Sequence, residues 1–160
     1  MADSAPLSAL PPILRANRTL DAYRLSWLAN FFVGPIYKRL EAEMGLNRPE
    51  IVVLFCIAHV PDMTSMDICR ATGRPKNSIS RAIIALADRR LIVRTPDPAD
   101  QRAMRLGLTA SGKRAFDKLI PAFEAREAEM FAPLSASERA SLARLLEKLV
   151  LRTDGWAEPY

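Results

Sequence analysis

The sequence predicts a mainly α-helical chain with one small β-hairpin, and three observations predict it. Apolar residues recur at three- and four-residue spacing through most of the 160 residues. Two short helix patterns, separated by a turn containing Gly73, fall within residues 64–89. A clean period-2 run then alternates Met104, Leu106 and Leu108 with Ala103, Arg105 and Gly107, and a second β-type run, Leu91-Ile92-Val93-Arg94-Thr95, precedes it.

Residues 1–19 hold Pro6, Pro11 and Pro12 among small residues and read as a flexible, extended arm. Leu10, Ile13 and Leu14 make it apolar enough to dock along a neighbouring subunit. Over residues 20–46, Leu20, Tyr23, Trp27, Leu28, Phe31, Phe32, Ile36 and Leu40 keep helical spacing. A kink or local opening is expected at Gly34-Pro35, because proline removes a backbone donor and clashes with the preceding turn. Gly45 is placed to end this helix. Asn47 and Glu50 have the spacing of a capping pair for a helix over residues 48–58, and Val52, Leu54, Phe55, Cys56 and Ile57 make that helix too apolar for a surface position.

Thr64 and Asp67 form a capping-box variant in which Asp replaces the commoner Glu. Gly73 stops the helix they open as a left-handed residue would. Pro75 suits the first turn of the next helix, where its missing N–H costs nothing. Within residues 75–89, Ile79, Ala82, Ile83 and Leu86 form one apolar stripe. The opposite face carries Asn77 and Arg81, flanked by Ser78 and Ser80, with Lys76 in the first turn. Arg can fork onto guanine O6 and N7, Asn can do the same to adenine, and small neighbours permit close approach to a major groove. Thr64, Ser65 and Arg74 lie where DNA phosphates would pass. An ordinary amphipathic surface helix has the same polarity, so this helix alone does not decide function.

The two β-type runs read as a hairpin. Their connection, Pro96-Asp97-Pro98-Ala99-Asp100-Gln101-Arg102, is rich in turn residues and too long for a two-residue turn, so it should project. A helix-turn-helix followed by a projecting hairpin is a winged helix, here residues 47–109. Arg102 near the tip can reach a minor groove, with Asp100 holding its guanidinium, while Arg94 and Arg105 are the other wing cations. Residues 70–114 carry eleven Lys or Arg against three Asp, a net of +8, and the rest of the chain holds 12 basic and 15 acidic residues, a net of −3. Basic charge concentrated on one segment supplies salt-sensitive phosphate affinity.

Thr109 can cap a helix running to Phe131, with Phe116, Leu119, Ile120, Phe123, Met130 and Phe131 as its stripe and a bend at Pro121. Ser135 and Glu138 cap another, in which Leu142, Leu145, Leu146, Leu149 and Val150 repeat at helical spacing. Residues 20–46 and 110–153 thus exceed what a winged helix needs. Their stripes would leave much apolar surface uncovered in a monomer, so a twofold dimer built from both chain ends is expected, with residues 154–160 as a tail.

Several function classes are disfavoured. No run approaches 18 uninterrupted apolar residues, the opening residues lack a basic-then-apolar secretion pattern, and a cytoplasmic protein with no membrane partner is expected. Cys56 and Cys69 lack metal-ligand spacing and read as structural thiols, so no metal and no cofactor are expected. Neither a Gly-rich phosphate loop nor a nucleophile-base arrangement is present, which argues against an enzyme. A winged helix can also serve as a protein-interaction or RNA-binding module without reading an operator. Asn77 and Arg81 on one face, and the lack of stacking aromatics in the basic segment, favour duplex DNA.

The assembled motifs resemble the MarR (multiple antibiotic resistance regulator) family. Its wing pattern, Asp-x-Arg followed by Leu-Thr-x-x-Gly, is matched by Asp100-Gln101-Arg102 and Leu108-Thr109-Ala110-Ser111-Gly112. Gly45-Leu46-Asn47-Arg48-Pro49-Glu50 and Ser78-Ile79-Ser80-Arg81 match the start of the family's second helix and its recognition helix. Many members have Gly where this chain has Arg90, and residues 1–19 are longer than the family minimum. The resemblance implies a homodimer paired through its N- and C-terminal helices, acting on double-stranded DNA, usually as a repressor. It also implies a pocket for a small aromatic or phenolic effector, for which Trp27, Phe31, Phe55, His59 and Phe116 are the lining residues. Core packing is the competing reading for each of those five.

Overall fold

The computed structural model describes residues 10–100 and 102–152. The first nine residues of the arm, Gln101 and the tail lie outside the described residues. In order, the chain forms α1 (Ile13–Ala16), α2 (Leu20–Met44), α3 (Arg48–His59), α4 (Ser65–Thr72) and α5 (Lys76–Asp88). Strands β1 (Ile92–Pro96) and β2 (Met104–Leu108) follow, then α6 (Ala110–Phe131) and α7 (Ala136–Val150). The mainly helical class with one hairpin is therefore the observed one. β1 and β2 pair antiparallel, with Ile92 opposite Leu108 and Pro96 opposite Met104.

Local chemistry sets most of the boundaries. Gly45 and Gly73 both take the left-handed conformation, at φ 62°, and end α2 and α4 there. Capping boxes open α3 at Asn47, α4 at Thr64 and α7 at Ser135, so the orphan N–H groups of each first turn find acceptors. Thr109 caps α6 by accepting from the Gly112 N–H at 2.9 Å. Its hydroxyl also donates to the Arg90 carbonyl at 2.8 Å, which ties α6 to the residue where the chain leaves α5. Gly112 is required by close approach, since a Cβ there would overlap the Leu91 carbonyl. Arg90 itself adopts a left-handed φ of 55°, a conformation that a glycine takes at less cost.

The core lies among α3, α4, α5 and the hairpin. Val53, Leu54, Ile68, Ile79, Leu86 and Leu106 are completely or almost completely shielded from solvent, joined by Leu40 from α2 and Leu119 from α6. The apolar stripe of α5 is buried as its spacing predicts, at Ile79, Ala82, Ile83 and Leu86. By contrast α7 has no buried residue, and the N-terminal half of α2 exposes Tyr23, Leu25, Leu28 and Phe31.

One expectation about the N-terminal half is corrected. The arm is not extended throughout: Ile13–Ala16 form a helical turn that folds back on α2. Leu14 is buried there, and its carbonyl accepts from Arg24 Nε at 3.1 Å, so this leucine is used within its own chain. At Gly34-Pro35 α2 stays a single helix over Leu20–Met44, with its hydrogen-bond ladder open at one carbonyl. Pro35 has no N–H for the Phe31 carbonyl, and Arg126 Nη2 on α6 donates to that carbonyl at 3.0 Å. α6 likewise continues through Pro121.

Candidate nucleic-acid interface

The apolar stripe of α5 is pinned to the core, which forces its other face outward. Lys76, Asn77 and Arg81 are exposed on that face, while Ser78 and Ser80 are half-buried beside them. Arg81 has no hydrogen-bond or ion-pair partner among the described residues, so its fork is available to a ligand. α4 packs on α5 and completes the helix-turn-helix, with Ser65 at its first position and Arg74 half-buried in the turn. Thr64 differs from its expected role on a DNA phosphate. Its hydroxyl donates to Asp67 Oδ2 at 2.7 Å and accepts from the Asp67 N–H at 3.3 Å, which commits it to the cap. Those Thr64 bonds, side chain first and backbone second, hold the Asp67 carboxyl below its ordinary range.

The wing is braced from inside. Asp97 N–H donates to the Ala103 carbonyl at 3.0 Å, and Asp97 Oδ1 accepts from the Ala99 N–H at 2.8 Å. Arg105, expected on DNA, is paired with Asp97, its Nε 3.0 Å from Oδ2 and its Nη2 3.4 Å from Oδ1. This bond lowers the Asp97 carboxyl and raises the Arg105 guanidinium. Asp100 is also reassigned. Its Oδ1 accepts from the backbone N–H of Arg102 at 2.9 Å, so it shapes the turn and leaves the Arg102 guanidinium without a partner among the described residues. Arg94 is exposed on β1 and equally unpaired. The Leu106 N–H donates to the Met63 carbonyl at 3.1 Å, and Arg105 pairs with Thr64 as an isolated bridge, which fixes the wing to the start of α4.

The five residues named for an effector pocket fall into two groups. Phe55, His59 and Phe116 meet each other, with ring centroids 4.4 Å apart for Phe55 and His59 and 5.4 Å for His59 and Phe116. Trp27 and Phe31 stack on one another at 4.0 Å and share no ring contact with the other three among the described residues. Phe123 joins the first group at 5.7 Å from Phe55 and also meets Phe32 and Tyr37. Its place in the apolar stripe of α6 concealed that role. His59 Nδ1 donates to the Phe55 carbonyl at 2.8 Å and leaves Nε2 directed elsewhere. Burial pushes both thiols up, with the charge of Arg74 offsetting part of the shift at Cys56 and that of Lys76 at Cys69, as suits structural cysteines.

A family model described as the MarR family matches residues 44–103, from the last residue of α2 through α5 and into the wing. Transcriptional regulator HosA of Escherichia coli is 27% identical over 105 residues, covering 66% of this chain and 78% of its own. Over residues 44–103 the chain is similar to the MarR family. The HTH-type transcriptional repressor NicR of Pseudomonas putida is 25% identical over 115 residues, 72% of this chain and 73% of its own. Among solved structures, BpsR of Bordetella bronchiseptica, whose DNA binding is regulated by 6-hydroxynicotinic acid, covers 81% of this chain and 98% of its own. That match has a TM-score of 0.68 at 24% identity. The chain is a DNA-binding transcriptional regulator, and no helix among its described residues is long and apolar enough to cross a membrane.

Proposed function

We propose that this regulator is a cytoplasmic, non-enzymatic MarR-family repressor that binds a pseudo-palindromic operator as a homodimer and is released by a small aromatic or phenolic acid. The observation that carries the operator reading is the division of α5, with Ile79, Ala82, Ile83 and Leu86 buried and Asn77 and an unpaired Arg81 outward. A second copy is supported by the uncovered apolar faces of α2 and α7. Between them runs a groove of about 300 Å³ lined by Leu25, Leu28, Phe32, Met130, Leu142 and Leu146, among others. A twofold dimer would present two α5 helices to successive major grooves about one helical turn apart, with Arg102 of each wing over a flanking minor groove.

The Phe55, His59, Phe116 and Phe123 rings support the effector reading, since they give an aromatic acid faces to stack on. The His59 ring lies among them and adds a polar edge to the aromatic faces. Such a ligand acts only through a higher affinity for the dimer geometry that misfits the operator. Binding-site selection from random duplexes at near-physiological salt, repeated with Arg81→Ala, tests the proposal. A pseudo-palindromic consensus that degrades in the variant and is released by aromatic hydroxy acids is expected. Affinity that follows salt alone, with no consensus, overturns it in favour of a protein-interaction module.

A further inference from the structure

Helices α2 and α5 do not pack broadly against one another: α2 lies on α3 and α6, and α5 lies on α3, α4 and β1. The side chain of Arg89 bridges them by hydrogen bonds. Arg89, the residue after α5, donates from Nη1 to the Gly45 carbonyl at 2.8 Å and from Nη2 to the Met44 carbonyl at 2.9 Å. Its Nη1 is also 3.8 Å from Glu50 Oε2. The acceptors at the end of α2 lack intrahelical donors, and a cation there is favoured by the helix dipole. Glu50 is held in place by the α3 cap, its carboxylate accepting from the Asn47 N–H and from Asn47 Nδ2, each at 3.0 Å. A single guanidinium therefore ties together the end of α2, the start of α3 and the end of α5.

The place of this bond matters because the backbone between α2 and α3 turns on Gly45, at φ 62° with nothing within 4 Å of where a Cβ would be. Gly45 is the joint and Arg89 is a strut across it. The planar fork of Arg can hold two carbonyls at once, which a lysine ammonium cannot do in a fixed geometry. We propose that Arg89 is a positioning residue that fixes the angle between α2 and α5, and thereby the half-site spacing the dimer accepts. This inference rests on the homodimer and operator reading, in which α2 belongs to the dimer side of the protomer and α5 to the DNA side. Arg89 need not touch DNA to act this way.

The test is equilibrium binding of the full chain, wild type, Arg89→Ala and Arg89→Lys, to duplexes carrying the selected half-sites with their spacing varied one base pair at a time. A duplex with a single half-site is measured alongside. Wild type is expected to prefer one spacing, and in Arg89→Ala that preference should shrink by roughly tenfold, the size expected for losing charge-assisted bonds, while single half-site affinity stays unchanged. A merely structural role would weaken every duplex alike and leave the ratio between spacings intact, and that result overturns the proposal. If circular dichroism shows that Arg89→Ala does not fold, Arg89→Lys decides. It keeps a charge beside Glu50 but not the fork, so a relaxed spacing preference supports the strut and an unchanged one overturns it. If the wild-type chain selects half-sites but ignores their spacing, the dimeric reading falls and the Arg89 assignment falls with it. Failure of Arg89 alone leaves a wild-type spacing preference standing.

Discussion

In the winged helix, α3, α4, α5 and the hairpin turn their apolar residues onto one another, and Val53, Leu54, Ile68, Ile79 and Leu86 are fully shielded. In α7 the same kind of stripe is only partly covered: Leu142 and Leu146 are half-buried, but Leu145 is 55% exposed and Leu149 50%. Both regions carry branched apolar residues at helical spacing, and both have helices opened by capping boxes. The difference shows that periodicity identifies which face of a helix is apolar and leaves open which molecule covers it. The winged helix closes its core within one chain, whereas the ends leave apolar faces that the proposed homodimer would cover.

The sharpest way to break this contrast is at Leu86. Leu86→Ala removes a fully buried side chain and should cost about 2–5 kcal/mol in urea unfolding. A loss below 1 kcal/mol would show that the reader's core is less closed than described. At the ends, Leu145→Asp combined with Leu149→Asp should retain the helical circular dichroism yet sediment as a monomer. Sedimentation like wild type would mean that this face of α7 is not an interface. Arg81→Ala removes no packing and should cost about 1–3 kcal/mol on the best operator, with little loss on random duplex. Equal losses on both would remove Arg81 from base reading.

The smallest effect lies at a cap. Thr64→Ala should destabilise the chain by about 1 kcal/mol at neutral pH. Its pH dependence has a definite sign. Asp67 is held below the ordinary carboxyl range in the folded chain, so the unfolded chain takes up a proton first as pH falls. The stabilisation is therefore full at neutral pH, begins to fade near the ordinary carboxyl value of about 4, and is lost below the folded-state value. Glu138 at the start of α7 is lowered likewise, by its bonds to Ser135. Unfolding midpoints followed from neutral to acid pH should fall less steeply in Thr64→Ala than in wild type. Parallel slopes would show that Thr64 is not what lowers Asp67.

What could be read from the sequence was local. Thr64 with Asp67, Asn47 with Glu50, and the left-handed stops at Gly45 and Gly73 act within four residues, so spacing alone reveals them. The outward face of α5 could be read for the same reason, since the buried positions of one helix dictate its exposed ones. The partners of charged side chains could not. Arg89 reaches residues 44 and 45 positions away, and Arg105 pairs across the hairpin, although in sequence each is only one more cation in a basic stretch. Asp100 could be placed in the wing, but which N–H it would accept depended on how the turn closed. The effector residues were drawn from α2, α3 and α6, and a helical stripe cannot say that Phe116 meets His59 while Trp27 does not.

Proline at position 35 has a genetic consequence. It leaves the Phe31 carbonyl to be satisfied by Arg126, a residue 95 positions later whose Nη1 is at the same time paired with Glu129 at 2.9 Å. A residue with an N–H at position 35 would supply its own donor to that carbonyl and reduce the need for the distant arginine. The two sites should therefore be epistatic: Arg126→Ala should be more damaging beside Pro35 than in a Pro35→Ala background, and the two single costs should not add. A lineage losing Pro35 would be freed to vary at Arg126, so the two changes are expected to accumulate in that order.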